Sequence, residues 1–104
     1  MKDGRNPMEV FMEEAPAAAR AFNGLIEALS ESKNLDGRTR QLIYIAMKAA
    51  QGDTGAVSAH AGMAKKAGAS RAELKEAILM TLTVSGIRGV VTCLAPALAA
   101  WEVA

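Results

Sequence analysis

In the middle of the chain, residues typical of a helix end are followed at once by residues typical of a helix start. This alternation constrains the fold more than any other feature. Gly52 and Gly68 suit the left-handed position that ends a helix, and Asp53 or Thr54 can cap the helix between them. The segment Ser70-Arg71-Ala72-Glu73 has the pattern of a capping box, in which the first and fourth residues satisfy each other's backbone amides. The pattern predicts consecutive helices joined by short loops.

The whole chain can be divided in this way into about six helices. We predict that the first helix begins at Asn6-Pro7 and the second at Pro16. The third is predicted to run from the cap Asp36 to about Gln51, and the fourth from its cap through Ala67. The fifth is predicted to run from Arg71 to about Val84, and the last from about Arg88 to Val103. Pro96 lies inside the last helix and predicts a kink in the preceding turn. Because short loops connect antiparallel neighbours, the prediction is a single all-α domain over residues 1–104, folded as a compact antiparallel bundle.

The composition favours the same fold and predicts association between chains. Twenty-two of the 104 residues are alanine and only 4% are aromatic, whereas sheet proteins favour β-branched and aromatic residues. Apolar residues make up 51% of the chain, slightly more than the usual range of about 45–50%. A chain this small has a modest core, so part of the apolar surface is expected to lie between subunits of a homo-oligomer.

Charge and cysteine content exclude several classes of function. Twelve basic and eleven acidic residues give a net charge of +1 without a basic tract, which argues against a nucleic-acid partner. No apolar stretch reaches the roughly 20 residues of a membrane span, and the start MKDGRNPMEV has no signal-peptide core, so we expect a cytoplasmic location. The lone Cys93 cannot form an internal disulfide, and we predict neither a metal nor a cofactor.

His60 is the residue with the clearest chemical potential, because histidine titrates near neutral pH. On the fourth helix it shares a face with Asp53, two turns earlier. One hypothesis makes His60 a general acid or base in a small pocket at the junction of the third and fourth helices. The alternative is a half-buried histidine bonded to a backbone carbonyl. Cys93, with Arg88 five residues before it, is interpreted as a buried thiol rather than a reactive one.

Two stretches resemble the carboxymuconolactone decarboxylase family, which includes the alkylhydroperoxidase D-like proteins. They are Leu35-Asp36-Gly37-Arg38-Thr39-Arg40-Gln41-Leu42-Ile43 and His60-x-x-x-Ala64-x-x-x-Gly68-Ala69-Ser70-x-x-Glu73-Leu74-x-Glu76-Ala77. The resemblance covers roughly residues 35–103, and before Asn34 the chain is similar only in being helical. It implies an all-α fold and a trimer or hexamer.

The resemblance also implies two activities. The alkylhydroperoxidase D-like branch uses a CxxC pair at the start of the fourth helix, a histidine four residues later and a glutamate on the preceding helix. The corresponding positions here are Asp53, Ala56, His60 and Gln41, so only the histidine is retained. Thiol–disulfide exchange needs two sulfurs, which disfavours a peroxide or disulfide reductase.

The decarboxylase branch acts on a lactone without that cysteine pair. The resemblance therefore suggests acid/base chemistry on a small carboxylate or lactone, with His60 as the proton carrier and Asp53 or Gln41 orienting it. Arg88 is the predicted binding residue for an anionic substrate. The alternative is a family member that has lost its chemistry and acts as a binding or assembly module.

Overall fold

The computed structural model describes residues 4–104, and every regular element in that range is a helix, which confirms the all-α prediction. The helices are α1 (Pro7–Glu14), α2 (Pro16–Ser30), α3 (Gly37–Ala50), α4 (Thr54–Lys66), α5 (Arg71–Leu79), α6 (Leu82–Ser85), a π-helical segment (Val90–Leu94) and α7 (Ala95–Val103). The chain divides into two units, the first ending at Asn34 and the second spanning Leu35–Ala104. The single domain over residues 1–104 stays a prediction, and each unit is described by itself.

The first unit contains α1 and α2. The side chain of Asn6 accepts a hydrogen bond from the Met8 amide at 2.8 Å and so caps α1, which begins at Pro7 as predicted. The rings of Phe11 and Phe22 pack edge to face, with centroids 6.0 Å apart. Within α2 only Ala19 is buried. Four large apolar side chains of α2 are exposed at helical spacing; they are here called the α2 stripe and are Phe22, Leu25, Ile26 and Leu29.

In the second unit consecutive long helices run in opposite directions, as predicted. Gln41 near the start of α3 contacts His60 on α4, while Lys48 near the end of α3 pairs with Asp53 at the start of α4. These two contacts can form together only if α3 and α4 are antiparallel. Of the described helices, none is long and apolar enough to cross a membrane.

Two ion pairs give the directions of the remaining helices, which are the same for α3 and α5 and opposite for α5 and α7. Arg38 in the first turn of α3 forms an ion pair with Glu73 in the first turn of α5, with Nη1 and Oε2 3.1 Å apart. At the other end of the chain, Arg71 at the start of α5 pairs with Glu102 at the end of α7. The second unit is therefore an up-and-down arrangement of α3, α4, α5 and the last helix.

The glycine after α3 is held by the hydrogen bonds of a Schellman motif. Gly52 has φ +74°, its amide donates to the Ala49 carbonyl at 2.9 Å, and the Asp53 amide donates to the Lys48 carbonyl at 3.0 Å. Gly68 repeats the arrangement after α4, with φ +99°. The predicted bounds of α3 and α4 are thus confirmed to within a residue.

The capping box at the start of α5 is confirmed in both directions. The Ser70 hydroxyl accepts from the Glu73 amide at 3.0 Å, and Oε1 of Glu73 accepts from the Ser70 amide at 2.9 Å. The core beneath these helices is small and alanine-rich. Its largest fully buried side chains are Ile45, Val57, Leu74, Ile78 and Cys93.

The fifth helix is shorter than predicted. It ends at Leu79 rather than near Val84, and the short helix α6 follows. The buried Thr81 lies at this break, where its hydroxyl donates to the Ile78 carbonyl at 2.7 Å. A threonine hydroxyl that bonds a carbonyl of the preceding turn competes with the regular helical pattern, which accounts for the change.

Pro96 distorts the last helix in the turn before it, as predicted, and the distortion is the π-helical segment. In a regular α-helix the amide of residue 96 would donate to the Thr92 carbonyl, but proline has no N–H. The Thr54 hydroxyl donates to that carbonyl instead, at 3.1 Å. The start of α4 is thereby joined to the distorted turn.

Candidate functional site

His60 lies between α4 and one face of α3. Gln41, Tyr44 and Lys48 follow each other on α3 at intervals of three and four residues, so they share that face. All three side chains are half-buried, as is His60. The structure brings His60 together with Gln41, one of the two residues proposed to orient it, with Nδ1 of the imidazole 2.9 Å from Oε1 of the amide.

This hydrogen bond defines which ring nitrogen is available. An amide oxygen can only accept, so Nδ1 of His60 carries the proton and donates to Gln41. In the neutral ring Nε2 then has the free lone pair. His60 is therefore oriented by a side chain of the neighbouring helix, and its partner is not the backbone carbonyl of the alternative hypothesis.

Tyr44 and Lys48 were not singled out from the sequence. The Tyr44 ring stacks on the imidazole of His60, with centroids 4.1 Å apart and an angle of 32° between the planes. Nζ of Lys48 lies 5.8 Å from the centroid of the Tyr44 ring. The spacing Gln41-x-x-Tyr44-x-x-x-Lys48 could have indicated both residues, because it repeats at the helical period.

The surroundings of His60 favour its neutral form. Partial burial lowers the pKa of the imidazole below its usual value of 6.5, and the positive charge of Lys48 lowers it further. Gln41 has no charge to oppose these effects. At pH 7 the ring is neutral and can accept a proton at Nε2.

Asp53 lies at the start of α4, distant from His60. Its side chain caps α4 by accepting from the Ala56 amide at 3.1 Å, and its other oxygen is 3.5 Å from Nζ of Lys48. Seven residues of helix separate it from His60, which is roughly 10 Å along the axis. The geometry thus gives Asp53 a role in holding Lys48 and the helix start, while the orienting contact to His60 comes from Gln41.

Arg88 lies against the turn between α3 and α4. A Cβ atom built on Gly52 would be 2.6 Å from Nε of Arg88, so the guanidinium packs directly on this glycine. The side chain is exposed, and within residues 4–104 it has neither a hydrogen bond nor an ion pair. Arg88 is therefore an available cation beside the turn that contains Asp53.

Cys93 is fully buried beside α4. Its Sγ atom is 3.4 Å from the Thr92 hydroxyl and 3.8 Å from the Thr54 hydroxyl. In the described part of the chain no three histidine, cysteine, aspartate or glutamate side chains come together as a possible metal site. The thiol is a core group, as interpreted from the sequence.

An open cavity lies on the opposite side of α3 from His60. It has a volume of about 470 Å³ and opens between α3 and α5. Its apolar lining, here called the α3–α5 groove, consists of Leu42, Ile43, Ala46, Met47, Ala77 and Met80, while Arg38, Thr39, Glu73 and Glu76 complete it. The smaller cavity described continues past Met47 and Met80 toward Val84. Neither is lined by His60, so the pocket predicted at the junction of α3 and α4 stays a prediction.

Comparison with known proteins gives a family. No curated protein and no solved structure matches the chain. The model of the carboxymuconolactone decarboxylase family matches residues 16–100, which includes α2 and extends the resemblance found from residue 35 onward. The match covers the whole arrangement of Gln41, His60 and Arg88, and the chain belongs to the carboxymuconolactone decarboxylase family.

Proposed function

We propose that the chain catalyses proton transfer on a small carboxylate or lactone, with His60 as the general base. The observation that carries the proposal is the hydrogen bond from Nδ1 of His60 to Gln41, which leaves Nε2 as a proton acceptor. The lowered pKa keeps that acceptor unprotonated at neutral pH. Polar groups that converge on a histidine are the arrangement expected of an acid/base site rather than of a core residue.

The proposed step is removal of a proton from the carbon next to a lactone or carboxyl carbonyl. The C–H electron pair becomes an enolate, the proton moves to Nε2 of His60, and the imidazolium returns it to the same or a conjugated carbon. Where a carboxylate is lost as CO₂ instead, the electron pair of the broken C–C bond forms the enolate, and Nε2 of His60 relays a proton from water to it. Lysine and arginine bind carboxylates, so Lys48 and Arg88 are the proposed partners of the anionic substrate.

Solvent deuterium exchange tests the proposal on a series of candidate substrates. Carboxylated γ-lactones are incubated in D₂O with the protein, and loss of the proton signal next to the carbonyl, together with CO₂ release, is followed by NMR. The wild type is expected to accelerate exchange for at least one lactone, and His60→Gln to reduce the rate at least about 100-fold. Lys66→Gln is the control, because Lys66 is exposed at the end of the same helix.

Equal exchange rates for wild type and His60→Gln would refute the base. No exchange with any lactone would favour the second candidate, a binding or assembly module. The observation that favours this candidate is the position of the larger cavity, which is apolar and on the far side of α3. A peroxide or disulfide reductase is a distant third, because the sequence contains one cysteine and that thiol is buried.

We also propose that the working form is a cytoplasmic homo-oligomer, a trimer or a hexamer. Seventeen large apolar side chains in the described range are exposed in the single chain, which supports burial between subunits. Light scattering tests the assembly. A mass near 10.9 kDa, that of one chain, would contradict it.

A further inference from the structure

The α2 stripe is an exposed apolar surface on a single helix. Its members Phe22, Leu25, Ile26 and Leu29 follow the i, i+3, i+4, i+7 pattern, and each is between 42% and 54% exposed. This is the pattern of anchors by which a helix binds in an apolar groove. From the first anchor to the last the stripe is about 10 Å long.

The α3–α5 groove has an apolar lining and a length that suit such a helix. Its residues Ile43, Met47 and Met80 are also exposed, with Met80 the most exposed at 64%. From Thr39 to Met47 the groove extends about 12 Å along α3, which is enough for the whole stripe. Methionine side chains adapt to the shape of a bound helix, and two of them form one end of the groove.

Charge indicates the direction of the bound helix. Because α3 and α5 are parallel, the positive ends of both dipoles lie at the Arg38–Glu73 end of the groove. The last turn of α2 contains no basic residue, and its C-cap is Glu31, an unfavourable charge at the negative end of a helix. A helix running opposite to α3 would place Glu31 at the N-terminal ends of α3 and α5, beside the Arg38–Glu73 ion pair, while Phe22 would reach the Met47–Met80 end.

We infer that the α2 stripe of one copy of this chain binds in the α3–α5 groove of a second copy. The inference rests on the proposed homo-oligomer and names its interface. It predicts a contact of two different surfaces, so that each subunit both offers a helix and receives one. Neither surface contains His60, and the assembly can therefore be disrupted without changing the proposed base.

A charge-swap experiment tests this interface. Leu25→Lys places a cation on the stripe and Met47→Glu places an anion in the groove, and both positions are more than half exposed, so the core is untouched. The mass of each protein is measured by light scattering at about 10 µM. Each single variant is expected to fall to the single-chain mass, whereas the double variant Leu25→Lys/Met47→Glu is expected to regain the wild-type mass.

Val103→Lys is the matched control, because Val103 is exposed on α7 and belongs to neither surface. It should keep the wild-type mass. If the wild type is itself a single chain, the proposed oligomer and this interface both fail. If the wild type is an oligomer and the single variants keep its mass, the interface alone is wrong. Deuterium exchange by His60 is measured separately, so neither result bears on the proposed chemistry.

Discussion

Nδ1 of His60 donates a hydrogen bond to Oε1 of Gln41 over 2.9 Å, and this contact links the only histidine of the chain to the helix before it. Gln41 stands where the resemblance places the proton-relay glutamate of the dithiol proteins. Glutamine can orient the ring as glutamate would, but it cannot ionise. The charge state of His60 is therefore governed by its partial burial and by Lys48.

Replacing this amide by a carboxylate should reverse the direction of the pKa change. Gln41→Glu places a negative charge within hydrogen-bond distance of the imidazole, which stabilises its protonated form and should raise the pKa of His60 by about 1 unit or more. The measurement is an NMR titration, which follows a single histidine. Met47→Glu adds the same charge on another face of α3 and should cause a much smaller change. Equal shifts in the two variants would show that the contact with Gln41 is absent in solution.

Gly89 allows the start of the last helical stretch to approach the end of α3. A Cβ atom there would lie 2.5 Å from the Ala49 carbonyl oxygen, a contact that backbone atoms can relieve only by moving apart. Gly89→Ala is expected to lower the free energy of unfolding by about 1–3 kcal/mol in urea titrations.

Gly24→Ala is the control for this substitution, because the added methyl in the middle of α2 would meet nothing within 4 Å. It should stabilise the protein by about 0.5–1 kcal/mol through helix propensity. If Gly89→Ala were as favourable, the close approach of the two helices would be wrong.

The Thr54 hydroxyl compensates for the missing amide of Pro96. Thr54→Val leaves the Thr92 carbonyl without this donor and should destabilise the protein by about 1–2 kcal/mol. In a Pro96→Ala background the new amide at position 96 can donate to the same carbonyl, so the same substitution should cost less. A double-mutant cycle in urea measures the difference. If the effects of Thr54→Val and Pro96→Ala on the free energy of unfolding were strictly additive, the Thr54 hydroxyl would not be replacing the missing amide.

Local signals explain why much of the second unit could be predicted from the sequence. Gly52 and Gly68 adopt positive φ, and Ser70 and Glu73 form the capping box, because each feature depends on atoms a few residues apart. The break after Leu79 was missed. It depends on the hydroxyl of the buried Thr81, and burial is a property of the packed bundle rather than of the local sequence.

The contacts around His60 could be foreseen only in part, because they join two helices. His60 and Gln41 were identified, and the structure brings them together. Either Asp53 or Gln41 was predicted to orient His60; the contact with the ring is made by Gln41, and Asp53 forms an ion pair with Lys48. Tyr44 and Lys48 were missed, because their helical spacing with Gln41 is present in the sequence but does not show which helix packs on that face of α3.

His60→Gln distinguishes a proton carrier from a structural histidine. The ring is half-buried and bonded to a side chain, so its replacement should lower the melting temperature by less than about 5 °C at pH 7.5. The folded pKa of His60 is below the unfolded value of 6.5, so the unfolded state binds the proton more readily. Wild-type stability should therefore fall as the pH drops below about 6.5, and His60→Gln should lose this part of the dependence. A larger decrease at pH 7.5 would argue for a structural role.

The tautomer and titration midpoint of His60 test the central claim most directly. Long-range ¹H–¹⁵N NMR spectra of the wild type, recorded from pH 4.5 to 8, report which ring nitrogen carries the proton and at what pH the second one binds. We expect the proton on Nδ1 in the neutral ring and a midpoint below 6.5, as required of a base that is oriented by Gln41 and free at Nε2. A neutral ring protonated on Nε2, or a midpoint at or above 6.5, would contradict the proposed base.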